Sequence, residues 1–286
     1  MKKKLIAASL LACVLLTAFA PISAFAAVIG NAKAQVDTTN LADGYVKVAY
    51  IGGGTAKIKV IITGASKTQY KYDLNKKNDG AFEVFPFSEG DGSYSIGVYT
   101  NTEGSKYATT YTTTVTVKLK DQNAPFLVTN QYVNYTDSST TVKQAAALVK
   151  DITNDLDKVS KIYNYVIKEF KYDKQKAATV QSGYLPNVDD ILSKKKGICF
   201  DYAAVMTAML RSQKIPCKLV VGYAGDIYHA WINIYTKETG WVNSMIQFDG
   251  KNWKLMDPTF ASSGNESSSV YEYIGKGDNY AAKLYY

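Results

Sequence analysis

The sequence predicts an α+β domain, helices packed on an antiparallel sheet, preceded by a small all-β, immunoglobulin-like sandwich. Three observations carry this. Between residues 27 and 122 apolar and polar residues alternate in short runs, the signature of half-buried strands. From Ser138 to Leu210 the apolar residues recur instead at i, i+3 and i+4. After Ile215-Pro216 alternation returns and runs to Met256. Helices first and hairpin-connected strands afterwards describe α+β rather than an alternating α/β fold. The domain boundary is expected at 122/123, in Asp121-Gln122-Asn123-Ala124-Pro125, giving units 27–122 and 123–286.

The first unit reads as strands at Tyr45–Tyr50, Ala56–Val60, Phe82–Phe85, Tyr94–Tyr99 and Thr112–Leu119. Turn chemistry separates them: Gly52-Gly53-Gly54, Asn78-Asp79-Gly80 and Glu89-Gly90-Asp91-Gly92. No set of polar groups here suggests chemistry. In the second unit, Ser138 or Ser139 can cap a helix running to about Asp151. Asn154 or Asp155 opens another, in which Leu156, Val159, Ile162, Tyr163, Val166, Ile167 and Phe170 recur at i, i+3 and i+4. A polar loop follows through Gly183 and Pro186, then a short helix at Val188–Leu192. The helix after Cys199 is apolar around nearly its whole girth, so it is expected at the centre of the domain. Strands are expected at Cys217–Tyr223, His229–Tyr235, Trp241–Phe248 and Asn252–Met256, with Asp249-Gly250 as a hairpin turn.

The N-terminus reads as a secretory signal over residues 1–26. Lys2, Lys3 and Lys4 precede an apolar run from Leu5 to Phe19, and Ala24-Phe25-Ala26 supplies the small residues a signal peptidase reads. The expected mature chain starts at Ala27 and is secreted, with association to the cell wall compatible with its charge and no membrane anchor. Leu10-Leu11-Ala12-Cys13 is a second, lesser reading as a lipoprotein processing site. The chain carries 33 basic and 25 acidic residues, a net charge of +8, and loss of three lysines with the signal leaves +5. Such a mildly basic surface suits an anionic surrounding. No basic helix or run of basic and aromatic residues points to nucleic acid. Hydrophobic residues at 47% exclude a mainly disordered chain.

Cysteine and histidine usage narrows the chemistry. Beyond the signal only Cys199 and Cys217 remain, and His229 is the single histidine of the chain. Two cysteines in a secreted protein would by default form one disulfide. The competing reading puts Cys199 at a helix start, where free backbone N–H groups and the positive helix end stabilise a thiolate and can donate to an oxyanion. Gly197 is expected to let the chain turn sharply there. His229 at a strand start can face that helix end, and Asp257 at the end of a later strand can hold the second imidazole nitrogen. Cys199, His229 and Asp257 thus form a candidate nucleophile–base–orienter set. Asp201 and Tyr202 are expected to support it, and Lys194, Lys195 and Lys196 to be a solvated run. One histidine and two cysteines lack metal-ligand spacing, and no cofactor is required.

Four ordered blocks carry a resemblance: Gly197-x-Cys199-x-Asp201-Tyr202-Ala203, Ile215-Pro216-Cys217-x-x-Val220-x-Gly222-Tyr223, His229-Ala230-Trp231 and Asp257-Pro258-Thr259. Together they resemble the transglutaminase-like superfamily of papain-like thiol folds, over roughly Val188 to Phe260. The resemblance implies Cys199 as nucleophile, His229 as base and Asp257 as its orienter. Thr236 to Gln247, an apparent extra strand pair, departs from the family's shortest pattern. Members also complete the oxyanion hole with an upstream side chain, and Tyr172 is the candidate here. The expected function is acyl transfer at a peptide amide through a Cys199 thioester, with a peptide or protein substrate. Water as acceptor, in a cysteine protease or cell-wall peptide hydrolase, ranks first. A cross-linking transamidase and a non-catalytic wall-binding or scaffold protein are the alternatives.

Overall fold

The computed structural model describes residues 27–75, 80–243, 246–248, 253–255 and 280–286. The signal expected over 1–26, with Cys13, lies outside the described residues.

Eight strands make the N-terminal part: β1 (Val28–Gly30), β2 (Ala34–Asp37), β3 (Tyr45–Tyr50), β4 (Ile58–Thr63), β5 (Gln69–Asp73), β6 (Glu83–Pro86), β7 (Gly92–Glu103) and β8 (Lys106–Val117). They form two four-stranded antiparallel sheets, in the orders β1-β2-β3-β6 and β5-β4-β7-β8. Alternation puts Ile58, Val60 and Ile62 of β4 on the buried face, with Lys59 and Ile61 turned away from it. The sheets meet through aromatic rings, Tyr72 on β5 lying 4.8 Å from Phe85 on β6. β7 and β8 pair along most of their twelve residues each, longer than the short strands expected. The threonine-rich outer strand β8 is exposed over much of its length, so polar β-branched residues continue it where hydrophobicity does not.

After β8 the chain turns through a 3-10 segment at Ala124–Phe126, where the 122/123 boundary was expected. Then come α1 (Thr140–Val149), α2 (Asp155–Glu169), β9 (Lys171–Tyr172), α3 (Lys174–Thr179), α4 (Val188–Lys194), β10 (Lys196–Gly197) and α5 (Cys199–Ser212). The strands β11 (Cys217–Ala224), β12 (Ile227–Thr236), β13 (Gly240–Val242), β14 (Ile246–Phe248), β15 (Trp253–Leu255) and β16 (Tyr280–Tyr285) follow. Asn154 starts α2 as the periodicity demands: its Oδ1 accepts from the N–H groups of Leu156 and Asp157 at 2.9 and 3.1 Å. α5 is buried from Asp201 to Arg211, with α1, α2 and α4 on one side and β11 and β12 on the other. The sheet order is β13-β12-β11-β16, antiparallel throughout.

Three expectations need correction, and one strand was not foreseen. The loop through Gly183 contains a helix, α3, capped by Asp173 Oδ1 accepting from Lys176 N at 3.0 Å. Trp241–Phe248 is two strands, β13 beside β12 and β14 beside β15, which belong to different sheets. The C-terminal Tyr280–Tyr285 forms β16, whose register shift at Val221/Gly222 blurs its alternation. Lastly, His229 is the third residue of β12 rather than at its start.

The two parts of the chain touch. Tyr286 is buried and its ring lies 5.8 Å from both Tyr70 and Tyr72 of the sandwich and 4.5 Å from Tyr132. Gln131 Nε2 donates to the carboxylate of the buried Glu83 at 3.0 Å and to the Asp73 carbonyl at 3.1 Å. Among the described residues, no helix is long and apolar enough to cross a membrane.

Candidate active site

The start of α5 is positioned by backbone pairing and by a buried acid. β9 and β10 run parallel, with Tyr172 opposite Gly197. The N–H of Asp173 donates to the Gly197 carbonyl at 2.8 Å. Asp201, fully buried, reaches back so that its Oδ2 accepts from the N–H of Ile198 at 2.9 Å. This satisfies one donor at the helix start from a position inside the first turn. Lys176 Nζ donates to the same oxygen at 2.6 Å, and Tyr184 OH donates to Oδ1 at 2.6 Å. The Lys176 ammonium also sits 4.2 Å from the centre of the Tyr184 ring. The buried carboxylate is therefore paired and hydrogen-bonded on both oxygens, the condition under which a buried charge is tolerated.

Gly197 serves this arrangement rather than a left-handed turn, since its φ is not among the positive ones. A Cβ there would lie 2.6 Å from the Asp201 Cβ and 2.8 Å from its Oδ2. The expected sharp turn gives way to a steric reason: only glycine leaves room for Asp201 to reach back.

Cys199 begins α5, is partly exposed and has a free thiol. It lines a cleft of about 460 Å³ together with Tyr172 and His229. His229 is buried and pairs in register with Gly222 on β11. Its ring stacks on Trp231 of the same strand, centroids 6.2 Å apart and planes 22° apart, and lies 6.3 Å from the ring of Tyr280. Tyr228 lines the same cleft: partial burial raises its phenol above the ordinary range, with Tyr223 and then Cys199 adding to the rise. Asp257, the expected orienter, lies outside the described residues.

Cys217 has a different setting. It is buried at the start of β11, and its Sγ is 3.5 Å from Thr207 Oγ1. Burial pushes its thiol up to about 11, against smaller opposing effects of the Thr207 hydroxyl and Arg211. Thr207 stands eight residues along α5 from Cys199, a rise of about 12 Å. A disulfide needs Cα atoms within about 7 Å. The two thiols are kept apart by the length of the helix, and the disulfide reading fails.

The lysine run is ion-paired at the surface: Lys194 with Asp190 at 2.8 Å, Lys195 with Glu169, and Lys196 with Asp173 at 3.2 Å. Among the described residues no group of three or more metal-ligating side chains comes together. Lys176, Tyr184 and Tyr228 were not foreseen at this site. The first two lie in what reads as a polar loop, and no local pattern marks them as partners of Asp201.

Residues 142–244 match the family model of the transglutaminase-like superfamily. A curated relative, the uncharacterized protein YebA of Bacillus subtilis (strain 168), is 28% identical over 148 residues, 44% of this chain. The match spans only 20% of that protein's length. Among solved structures, a candidate cysteine protease from Cytophaga hutchinsonii is 17% identical with a TM-score of 0.42, covering 85% of this chain and 83% of that one. Red sea bream transglutaminase is 11% identical with a TM-score of 0.27, covering 81% and 53%. The family match runs from within α1 to just past β13 and takes in both Cys199 and His229, so residues 142–244 are similar to the transglutaminase-like superfamily.

Proposed function

We propose that this protein is a secreted thiol acyl-transfer enzyme that hydrolyses peptide amide bonds. The observation that carries the reading is the placement of Cys199, at the first turn of a buried helix, and His229, on the facing sheet, in the wall of one cleft. His229 takes the thiol proton as Cys199 Sγ attacks the amide carbonyl and the C–S bond forms. The first-turn N–H groups of α5, which have no intrahelical partners by helix geometry, face the developing oxyanion. Tyr172, whose backbone pairs with Gly197 and which lines the cleft, is assigned the contribution of its hydroxyl to that oxyanion. The imidazolium then gives its proton to the leaving amine as the C–N bond breaks, leaving a thioester. Water, deprotonated by His229, attacks that thioester; the C–O bond forms, the C–S bond breaks, and the sulfur recovers its proton. Asp257 is assigned the orienting of the imidazole. The signal-like residues 1–26 support export.

Mass spectrometry on a peptide substrate, with and without an added primary amine, tests this. A transient acyl adduct on Cys199 and a carboxylic acid product are expected, with turnover lost in Cys199→Ala. An amide product formed with the amine would move the acceptor from water to amine and make the enzyme a transamidase. Undiminished turnover in Cys199→Ala would end the thiol mechanism.

A further inference from the structure

Six large hydrophobic side chains are exposed among the described residues; two of them line this cleft and two more stand on the hairpin beside it. Val180, 38% exposed, and Tyr228, 64% exposed, line it. Tyr223 and Ile227, 40% and 58% exposed, stand on the same hairpin as Tyr228. Water-facing apolar side chains scattered singly need no explanation, but a cluster at the mouth of a cleft does. The hairpin holds its pair firmly. Gly225 has φ of 59°, as a tight two-residue turn between β11 and β12 requires. Tyr223 and Tyr228 are direct cross-strand partners, with rings edge to face 5.6 Å apart.

Alternation along the two strands puts Val221 and Ala230 on the same sheet face as this tyrosine pair. Both line the cleft, so the apolar patch continues inward beside His229. The opposite wall adds Val180, Phe200 and Tyr184. Among its described lining residues the cleft has no Asp, Glu, Lys or Arg side chain. Lys176, next in sequence to the lining residue Ala177, is paired with Asp201 at 2.6 Å.

We infer that the cleft takes a peptide segment uncharged beside the reacting amide, with an apolar or aromatic residue docked on the Tyr223–Tyr228 platform, rather than a carboxylate-bearing cell-wall stem peptide. An apolar wall without a fixed charge repays burial of an apolar side chain and leaves a carboxylate desolvated and unpaired. This specificity rests on the thiol reading above.

The test uses short peptides ending in a vinyl sulfone, with Phe, Leu, Glu or Lys at the flanking position. The Cys199 sulfur adds to the β-carbon of the vinyl group, the α-carbon gains a proton, and intact mass follows the adduct. Fluorescence anisotropy of matching non-reactive peptides on Cys199→Ala reports docking without chemistry. Phe and Leu probes should react at least ~10-fold faster than Glu, as burial of one apolar side chain permits. Tyr223→Ser with Tyr228→Ser should shrink that ratio to within about 2-fold, a ratio being insensitive to a general loss of reactivity. An adduct formed equally fast with Glu or Lys probes, or a ratio unmoved in the double variant, overturns the specificity alone. Apolar preference in anisotropy without any adduct upholds the specificity and overturns the thiol reading. Absence of both overturns both.

Discussion

At its first turn α5 presents Cys199 to an open cleft, while its last turns are sealed around Arg211 and Cys217. Both ends hold a buried charge. At the first, Asp201 is met by a lysine, a tyrosine hydroxyl and a backbone N–H. At the last, Arg211 meets only carbonyls: Nε and Nη2 donate to Cys217 O at 2.9 and 2.7 Å, Nη1 to Val128 O and Nη2 to Tyr286 O, both at 2.6 Å. Asp201 ties the cleft wall at 176–184 to the helix that carries the thiol. Arg211 ties the 3-10 linker region, β11 and the C-terminal residue to one point. The difference teaches how one helix can be reactive and structural at once: the open end exposes a thiol that its neighbours hold in place, and the closed end withdraws a thiol from water altogether.

Removing Arg211 should break the closed end most severely. Arg211→Met keeps the apolar stem but takes the guanidinium donors away from the Cys217, Val128 and Tyr286 carbonyls, of which Tyr286 O still accepts from the Leu219 N–H at 3.0 Å. A buried carbonyl left without its donor costs about 1–3 kcal/mol. Urea denaturation should show that loss in the midpoint. A change under about 1 kcal/mol would mean that water replaces the guanidinium and that the end is not closed.

The next effect sharpens the contrast between the thiols. With its acidity pushed to about 11, Cys217 holds on the order of 300-fold less thiolate at pH 7 than an ordinary cysteine near 8.5. Iodoacetamide should therefore modify one residue of the folded protein, Cys199, and reach Cys217 only in denaturant, as peptide mapping would register. Comparable labelling of both in native conditions would erase the distinction.

A smaller effect is expected with pH. The folded Cys217 thiol titrates above its unfolded counterpart, so the folded state holds the proton more tightly. Its contribution is fully present below about 8.5 and is lost as pH rises through about 11, worth about 3 kcal/mol. Buried tyrosines raised in the same way, Tyr72 among them, add to the alkaline loss. The stability difference between wild type and Cys217→Ala, measured at pH 8 and pH 11, isolates the cysteine. A difference independent of pH would place Cys217 in contact with water.

Much of this arrangement was legible in local chemistry. Asn154 before an amphipathic run marked the start of α2, and the all-round apolar sequence after Cys199 marked a central helix. The four ordered blocks named Cys199 and His229, which the fold brings to one cleft. Elements whose partners are distant in sequence were harder to see. The strand β16 is specified by pairing with β11, some sixty residues earlier, and β9 and β10 are too short to have a period. The charged, alanine-containing segment of α3 showed no apolar stripe because none of its residues is buried.

By itself the sequence determined the class of the fold, the helix that starts at Cys199 and the residue types available for thiol chemistry. Periodicity and caps are short-range, and a few neighbouring residues suffice to express them. Only the tertiary structure decided that Gly197 makes room for Asp201, that Lys176 and Tyr184 neutralise that acid, and that Cys217 is walled off from Cys199 by the helix between them. It also decided that the exposed Tyr228 of the β11–β12 hairpin, paired with Tyr223, lines the cleft. These outcomes depend on burial and on the distance between side chains from separate elements. Both are properties of packing, which no local window of residues contains.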